Sequence, residues 1–125
     1  MEQQRFKNSF AENLIWLAGF IDGDGCIYCK PRIHNNKYKY IELQIIVGQS
    51  GAMGLKLCEE LQYFYGFGKI TSYHGSTITK QKAYLTRLQG KKALMFLKKI
   101  VPYLYIKKQQ AEEAIKQMDN RYGNK

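Results

Sequence analysis

The sequence predicts an α+β domain of order αββαββα, a single domain over residues 1–125 with a four-stranded antiparallel sheet backed by helices. Three observations carry this. Apolar residues recur at helical steps, first as Phe10, Leu14, Leu17 and Ile21 and again as Met53, Leu57, Leu61 and Phe64. From Tyr38 to Gln49 the chain alternates, with Ile41, Leu43, Ile45 and Val47 on one face and Tyr40, Glu42, Gln44 and Ile46 on the other. Asn35-Asn36, Gly66 and Gly90 punctuate the periodic segments at the places where a compact domain needs turns.

The first helix is expected to start near Phe10, because Ser9-Phe10-Ala11-Glu12 has capping-box spacing. Its apolar stripe packs into the core, whereas Ala18, Gly19 and Gly23 lie away from that stripe and Gly19-x-x-x-Gly23 admits a second backbone at close range. Asp22 and Asp24 fall at its C-terminal end, where the macrodipole disfavours each negative charge by about 0.3–1 kcal/mol. Carboxylates placed there serve another purpose. Asp22 is expected to cap a neighbouring backbone N–H, while Asp24, flanked by Gly23 and Gly25, is open to a cation and to close backbone approach. A calcium loop is excluded: counted from Asp22, the fifth, sixth and twelfth positions are Cys26, Ile27 and Ile33.

Two hairpins follow. The first joins a strand Cys26–His34 to one at Tyr38–Gln49; Ile27 and Ile33 mark its buried side, and Tyr28, Lys30 and Arg32 project oppositely. Ser50 is expected to cap a helix that Gly66 stops. The second hairpin runs Lys69–Tyr73 and Lys82–Leu88 around the His74-Gly75-Ser76-Thr77 region, with Lys69, Thr71, Tyr73, Lys82, Tyr84 and Thr86 outward. Gly90 introduces a short helix to Ile100, Pro102 breaks it, and a last helix from about Lys107 carries Ala111, Ala114, Ile115 and Met118 on one stripe. One sheet face is thus apolar and the other aromatic, basic and amide-bearing.

Twenty Lys and Arg against ten Asp and Glu give a formal charge of +10. No acid lies between Glu60 and Glu112, a stretch with ten basic residues, so a polyanion is the implied partner and nucleic acid the first choice. A membrane surface is disfavoured because the basic residues do not gather on one amphipathic helix. The run Leu14 to Ile21 is too short to span a bilayer. The start of the chain shows no secretion signal, and Cys26, Cys29 and Cys58 read as packed thiols of a reducing compartment. Cys26 and Cys29 form a C-x-x-C, but on a strand their odd separation sends them to opposite faces, against a zinc or redox pair. An intracellular location follows, in an organelle (chloroplast or mitochondrion) or in a bacterial or phage cytoplasm.

Trp16-Leu17-Ala18-Gly19-Phe20-Ile21-Asp22-Gly23-Asp24-Gly25 resembles the signature motif of the LAGLIDADG homing endonucleases. The resemblance continues through Val47-Gly48-Gln49-Ser50, Gly66-Phe67-Gly68 and Pro102 to Ala111. One motif resembles the single-motif members, which act as homodimers. It implies an enzyme that hydrolyses double-stranded DNA at a long pseudo-palindromic site, leaving 3′ overhangs, with Mg²⁺ or another divalent cation such as Mn²⁺. By that resemblance the motif helices meet at the dimer axis through Ala18, Gly19, Asp22 and Gly23. Asp24 and the Gly23 carbonyl match the metal-facing oxygens, and Gln49 and Lys107 stand where relatives order water and support charge. The DNA-reading residues expected on the sheet are Tyr28, Lys30, Arg32, Tyr40, Glu42, Gln44, Lys69, Thr71, Tyr73, Lys82 and Tyr84. An RNA maturase and a catalytically silent DNA-binding module stay open as alternatives. His34-Asn35-Asn36 resembles an HNH nuclease only superficially. The chain ends soon after its last helix, where larger relatives continue, so a weaker or shorter target is expected. Ile46 suits a thymine-methyl contact or packing better than a hydrogen bond.

Overall fold

The computed structural model describes residues 11–74 and 81–122. In chain order it has α1 (Leu14–Asp24), β1 (Cys26–His34), β2 (Tyr38–Ser50), α2 (Gly51–Tyr65), β3 (Thr71–His74), β4 (Lys82–Gln89), α3 (Gly90–Ile100), a 3-10 turn (Val101–Tyr103) and α4 (Lys108–Tyr122). The strands form one antiparallel sheet of order β1-β2-β4-β3, which bears out the predicted α+β architecture. Asn35 and Asn36 turn the first hairpin at φ 53° and 56°, the left-handed pair that a tight hairpin turn demands and that asparagine tolerates. The turn of the second hairpin, with Gly75, Ser76 and Thr77, lies outside the described residues.

All the helices pack against one face of the sheet. Leu43, Ile45 and Val47 of β2 are at most 1% exposed and meet Leu17 and Ile21 of α1, Leu57 and Leu61 of α2, and Leu97 and Ile100 of α3 in one apolar cluster. Burial of each such side chain stabilises the fold by roughly 1.5–3 kcal/mol. Ala111, Ala114 and Met118 seat α4 on the same cluster, and Gln110 ties it to β1 through Nε2 donating to the Ile27 carbonyl at 2.7 Å. The α2 helix closes at Gly66, φ 74°, whose N–H returns to the Gln62 carbonyl while Phe67 N–H returns to Leu61; a side chain at that φ would be strained.

Several local expectations are corrected. The first helix begins at Leu14, where Asn13 Oδ1 accepts the Trp16 N–H at 3.1 Å; Ser9 and Phe10 lie outside the described residues. Ser50 holds the N-cap position of α2 without a side-chain bond, and its own N–H donates instead to Gln49 Oε1 at 2.9 Å. Met53, in the first turn of α2, is 59% exposed and lines a surface cleft rather than the core. Ile33 is 62% exposed, since the tip of the first hairpin extends beyond its helical cover. Ala18 is fully buried in the chain's own core and has no surface left for a partner.

The largest correction concerns β4. Leu88 pairs with Ile45 and Thr86 with Val47, so these residues share the core face. Thr86 is completely buried, its hydroxyl donating to the Gly68 carbonyl at 2.7 Å. Lys82 and Tyr84 therefore lie on the helix side of the strand, and the outward positions are Leu85, Arg87 and Gln89. A shift of one residue reverses every side chain of a strand. Leu85 and Leu88 have opposite parity, and the sequence alone offered no reason to prefer the second.

Candidate nucleic-acid interface

Two features make up the candidate site. The first is the outer sheet face. Tyr28 pairs with Gln44, Lys30 with Glu42 and Arg32 with Tyr40 across β1 and β2, while Ile46 faces Arg87 of β4. Arg32 Nε donates to Glu42 Oε1 at 2.8 Å, Gln44 Nε2 to Glu42 Oε2 at 2.6 Å, and Arg87 Nη1 to Gln44 Oε1 at 3.1 Å. The Tyr28 hydroxyl accepts from Arg32 Nη2, and its ring lies under Lys30 Nζ and Arg32 Cζ at 5.5 and 5.7 Å. The Arg32 guanidinium, followed by Gln44, holds the Glu42 carboxyl below its ordinary range against a smaller opposing effect of desolvation.

Lys69, Thr71 and Tyr73 are exposed toward this side, Lys69 ahead of β3 rather than within it. Lys69 shares a cleft of about 400 Å³ with Thr71, Arg87, Gln89 and Lys92. Arg87 and Gln89 escaped the sequence reading. Only the pairing of Arg87 with Ile46 and of Gln89 with Gln44 on β2 puts them on this face.

The second feature is the end of α1. Asp22 is 8% exposed and turned inward, where Oδ2 accepts the N–H groups of Tyr105 and Ile106, both at 2.9 Å, and Oδ1 that of Lys107 at 2.7 Å. It caps the turn that opens α4, the role expected of it. Desolvation pushes its carboxyl upward, but the three backbone donors and the nearby Lys107 charge outweigh this and hold it below the ordinary value. Lys107 Nζ donates to the Asp22 carbonyl at 2.6 Å, which brings its charge to the negative end of the helix. Gly23 and Asp24 stay exposed.

Gln49 stands on the flank of α1, in an apolar cleft of about 250 Å³ lined also by Trp16, Phe20, Met53 and Leu57. Asp24 thus ends α1, with Lys107 against its last turn and Gln49 farther back beside Trp16 and Phe20. No cluster of three or more metal-ligating side chains occurs among the described residues. The cysteines are separate: Cys26 is exposed, and Cys29 packs under β1 toward Gln117. Burial, with Glu59 nearby, pushes the Cys58 thiol up to about 11. Among the described residues no helix is long and apolar enough to cross a membrane. Four lysines gather on α3 (Lys91, Lys92, Lys98 and Lys99), against the expectation that no helix would collect them, but its apolar side is spent in the core.

The fold and site define a class: an α+β domain that offers a cationic, hydrogen-bonding sheet to a polyanion, with an exposed carboxylate at the helix end beside it. Residues 17–118 match the family model described as LAGLIDADG endonuclease. The chain belongs to the LAGLIDADG endonuclease family. No curated protein matches it significantly. Among solved structures it is similar to the homing endonuclease I-CvuI in complex with its target in 2 mM Ca, at 23% identity and TM-score 0.68, over 87% of this chain and 67% of that one. It is similar to the archaeal intron-encoded homing endonuclease I-Vdi141I complexed with DNA, at 16% identity and TM-score 0.64, over 94% and 70%. I-SmaMI bound to cleaved DNA is similar at 19% identity and TM-score 0.67, over 95% of this chain but 44% of that one.

Proposed function

We propose that the chain is a homing endonuclease that cuts double-stranded DNA at a specific, pseudo-palindromic site as a homodimer, using a divalent cation, foremost Mg²⁺. The observation that carries this reading is the pairing of the Arg32–Glu42–Gln44–Arg87 sheet face with the exposed Asp24 at the end of α1. Arg and Gln side chains on a sheet match the donor and acceptor pattern of the major groove. The donor set at the helix end suits a hard cation. Asp24 supplies carboxylate oxygen, and Gly23 supplies a backbone carbonyl at the helix end, where intrahelical partners run out. When bound, a divalent cation there would polarise the scissile phosphate and lower the pKa of an attacking water.

The chain's own groups do the rest. Asp22 holds the turn before α4, and through that turn Lys107 is kept beside the helix end, where its ammonium can offset charge building on the phosphate. Gln49, on the flank of the same helix, offers an amide for orienting water. A two-fold axis along α1 would bring two Asp24 carboxylates together, one for each strand of a staggered cut with 3′ overhangs.

The test is cleavage of a partially randomised duplex library, with and without Mg²⁺, by the wild type and by Asp24→Asn. A pseudo-palindromic cut site enriched only by the wild type with metal is the expected result. Cleavage retained by Asp24→Asn removes the assignment. If neither protein cuts but both hold duplex, the silent binding module or the maturase takes its place, and RNA is the ligand to try next.

A further inference from the structure

We infer that Glu42 is a positioning residue that couples two base-reading arginines, Arg32 and Arg87, across three strands through Gln44. The inference rests on the proposed DNA-cleaving function and assigns part of its specificity. The hydrogen bonds run in one direction from each end: Arg87 donates to Gln44, Gln44 donates to Glu42, and Arg32 donates to Glu42 from the other side. A guanidinium can only donate and an ionised carboxylate can only accept, so the Gln44 amide has a single orientation that satisfies both neighbours. Gln44 is 9% exposed, which holds it in that orientation.

The donors left over define what the face can read. Arg87 spends Nη1 on Gln44, leaving Nη2 and Nε for the O6 and N7 of a guanine. Arg32 spends Nε on Glu42 and Nη2 on the Tyr28 hydroxyl, leaving Nη1, and its plane lies over the Tyr28 ring. The arginines stand on β1 and β4 with β2 between them, so their base contacts are separated by about two strand spacings of 4.7–4.9 Å each. Glu42 also bears the one negative charge of the network. Its carboxylate gives up direct reading of cytosine in exchange for fixing both guanidinium planes.

The experiment is selection of bound sequences from a randomised duplex library, without divalent metal, for the wild type, Arg87→Ala, Glu42→Gln and the double variant Glu42→Gln/Arg87→Ala. Thermal melting confirms that each is folded, and Glu42→Asp serves as a second variant that keeps the charge but shortens the reach. Arg87→Ala should lower base preference about five- to a hundredfold at one position in each half-site. Glu42→Gln should lower it at that position and at a second, and the double variant should lose little more at the first. Glu42→Asp should relax the same two positions. If Glu42→Gln tightens binding uniformly and leaves the preference profile unchanged, Glu42 acts only as a charge and the inference is overturned. A wild type with no base preference at all would defeat the site-specific reading itself, and the coupling with it.

Discussion

At the residue scale, the two aspartates of the motif have opposite fates. Asp24 faces solvent, whereas Asp22 accepts three backbone N–H groups and sits under Lys107. Asparagine at position 22 would present an NH₂ group to backbone donors. Asp22→Asn should therefore displace Lys107 and lower the cleavage rate roughly 10–100-fold, the range seen when groups that orient a metal site are lost. Binding of duplex, read by gel shift without metal, should change far less. The same carboxylate gives a pH dependence. Its folded-state pKa is depressed below the ordinary aspartate value, so the folded state binds its proton less readily than the unfolded chain. Its stabilising effect is complete above that unfolded value and is lost as pH falls through the lower folded one. Acid melting curves of wild type and Asp22→Asn should then converge below about pH 4. Curves that stay parallel to the acid limit would remove Asp22 as the source.

At the scale of elements, the position of Gln49 depends on how closely α2 approaches the end of β2. A Cβ at Gly54 would lie 2.0 Å from the Gln49 carbonyl oxygen, backbone against backbone. Gly54→Ala should cost about 1–3 kcal/mol, the range of overpacked cores, and should shift Gln49 as well. Lower thermal stability together with slower cleavage is expected; an unchanged melting temperature would show that the two elements part without penalty. Beside α3, the cleft with Lys69 and Lys92 is suited to backbone phosphate. Lys69→Ala and Lys92→Ala should each weaken binding evenly across sequences and reduce the salt slope by about one, and a change confined to particular bases would assign them to readout instead. The elements were largely legible in the sequence because their periods are local: β1, β2 and α4 fall within a residue or so of the expected bounds. Facing was less so. The parity of β4 depends on its pairing with β2, and the exposure of Ile33 and Met53 depends on what packs over them, which no local pattern records. Among the candidate site residues, the helix-end placement of Asp24 and the capping role of Asp22 followed from their spacing, whereas Arg87 was hidden by that reversed parity.

At the scale of the whole molecule, the motif helix presents an exposed face. Ile15 is 65% and Trp16 42% exposed, and Gly19 follows one turn later. Among the described residues, a Cβ at Gly19 or Gly23 would meet nothing within 4 Å. No packing among the described residues therefore requires glycine at these positions. Glycine in a helix interior costs about 0.8–1.0 kcal/mol relative to alanine, a cost that close approach of a second helix would offset. Gly19→Leu separates the two contributions by sign. In the monomer the Cβ of a leucine there meets no described residue and leucine favours the helix, so its thermal stability under dissociating conditions should equal or exceed that of the wild type. In a dimer built on α1 the same side chain would hold the helices apart. Sedimentation should give the wild type twice the chain mass of 14.6 kDa and Gly19→Leu that mass itself, with double-strand cleavage lost. A Gly19→Leu protein that still sediments as a dimer would move the two-fold axis away from this helix. The two Asp24 carboxylates would then stand too far apart to serve neighbouring phosphates.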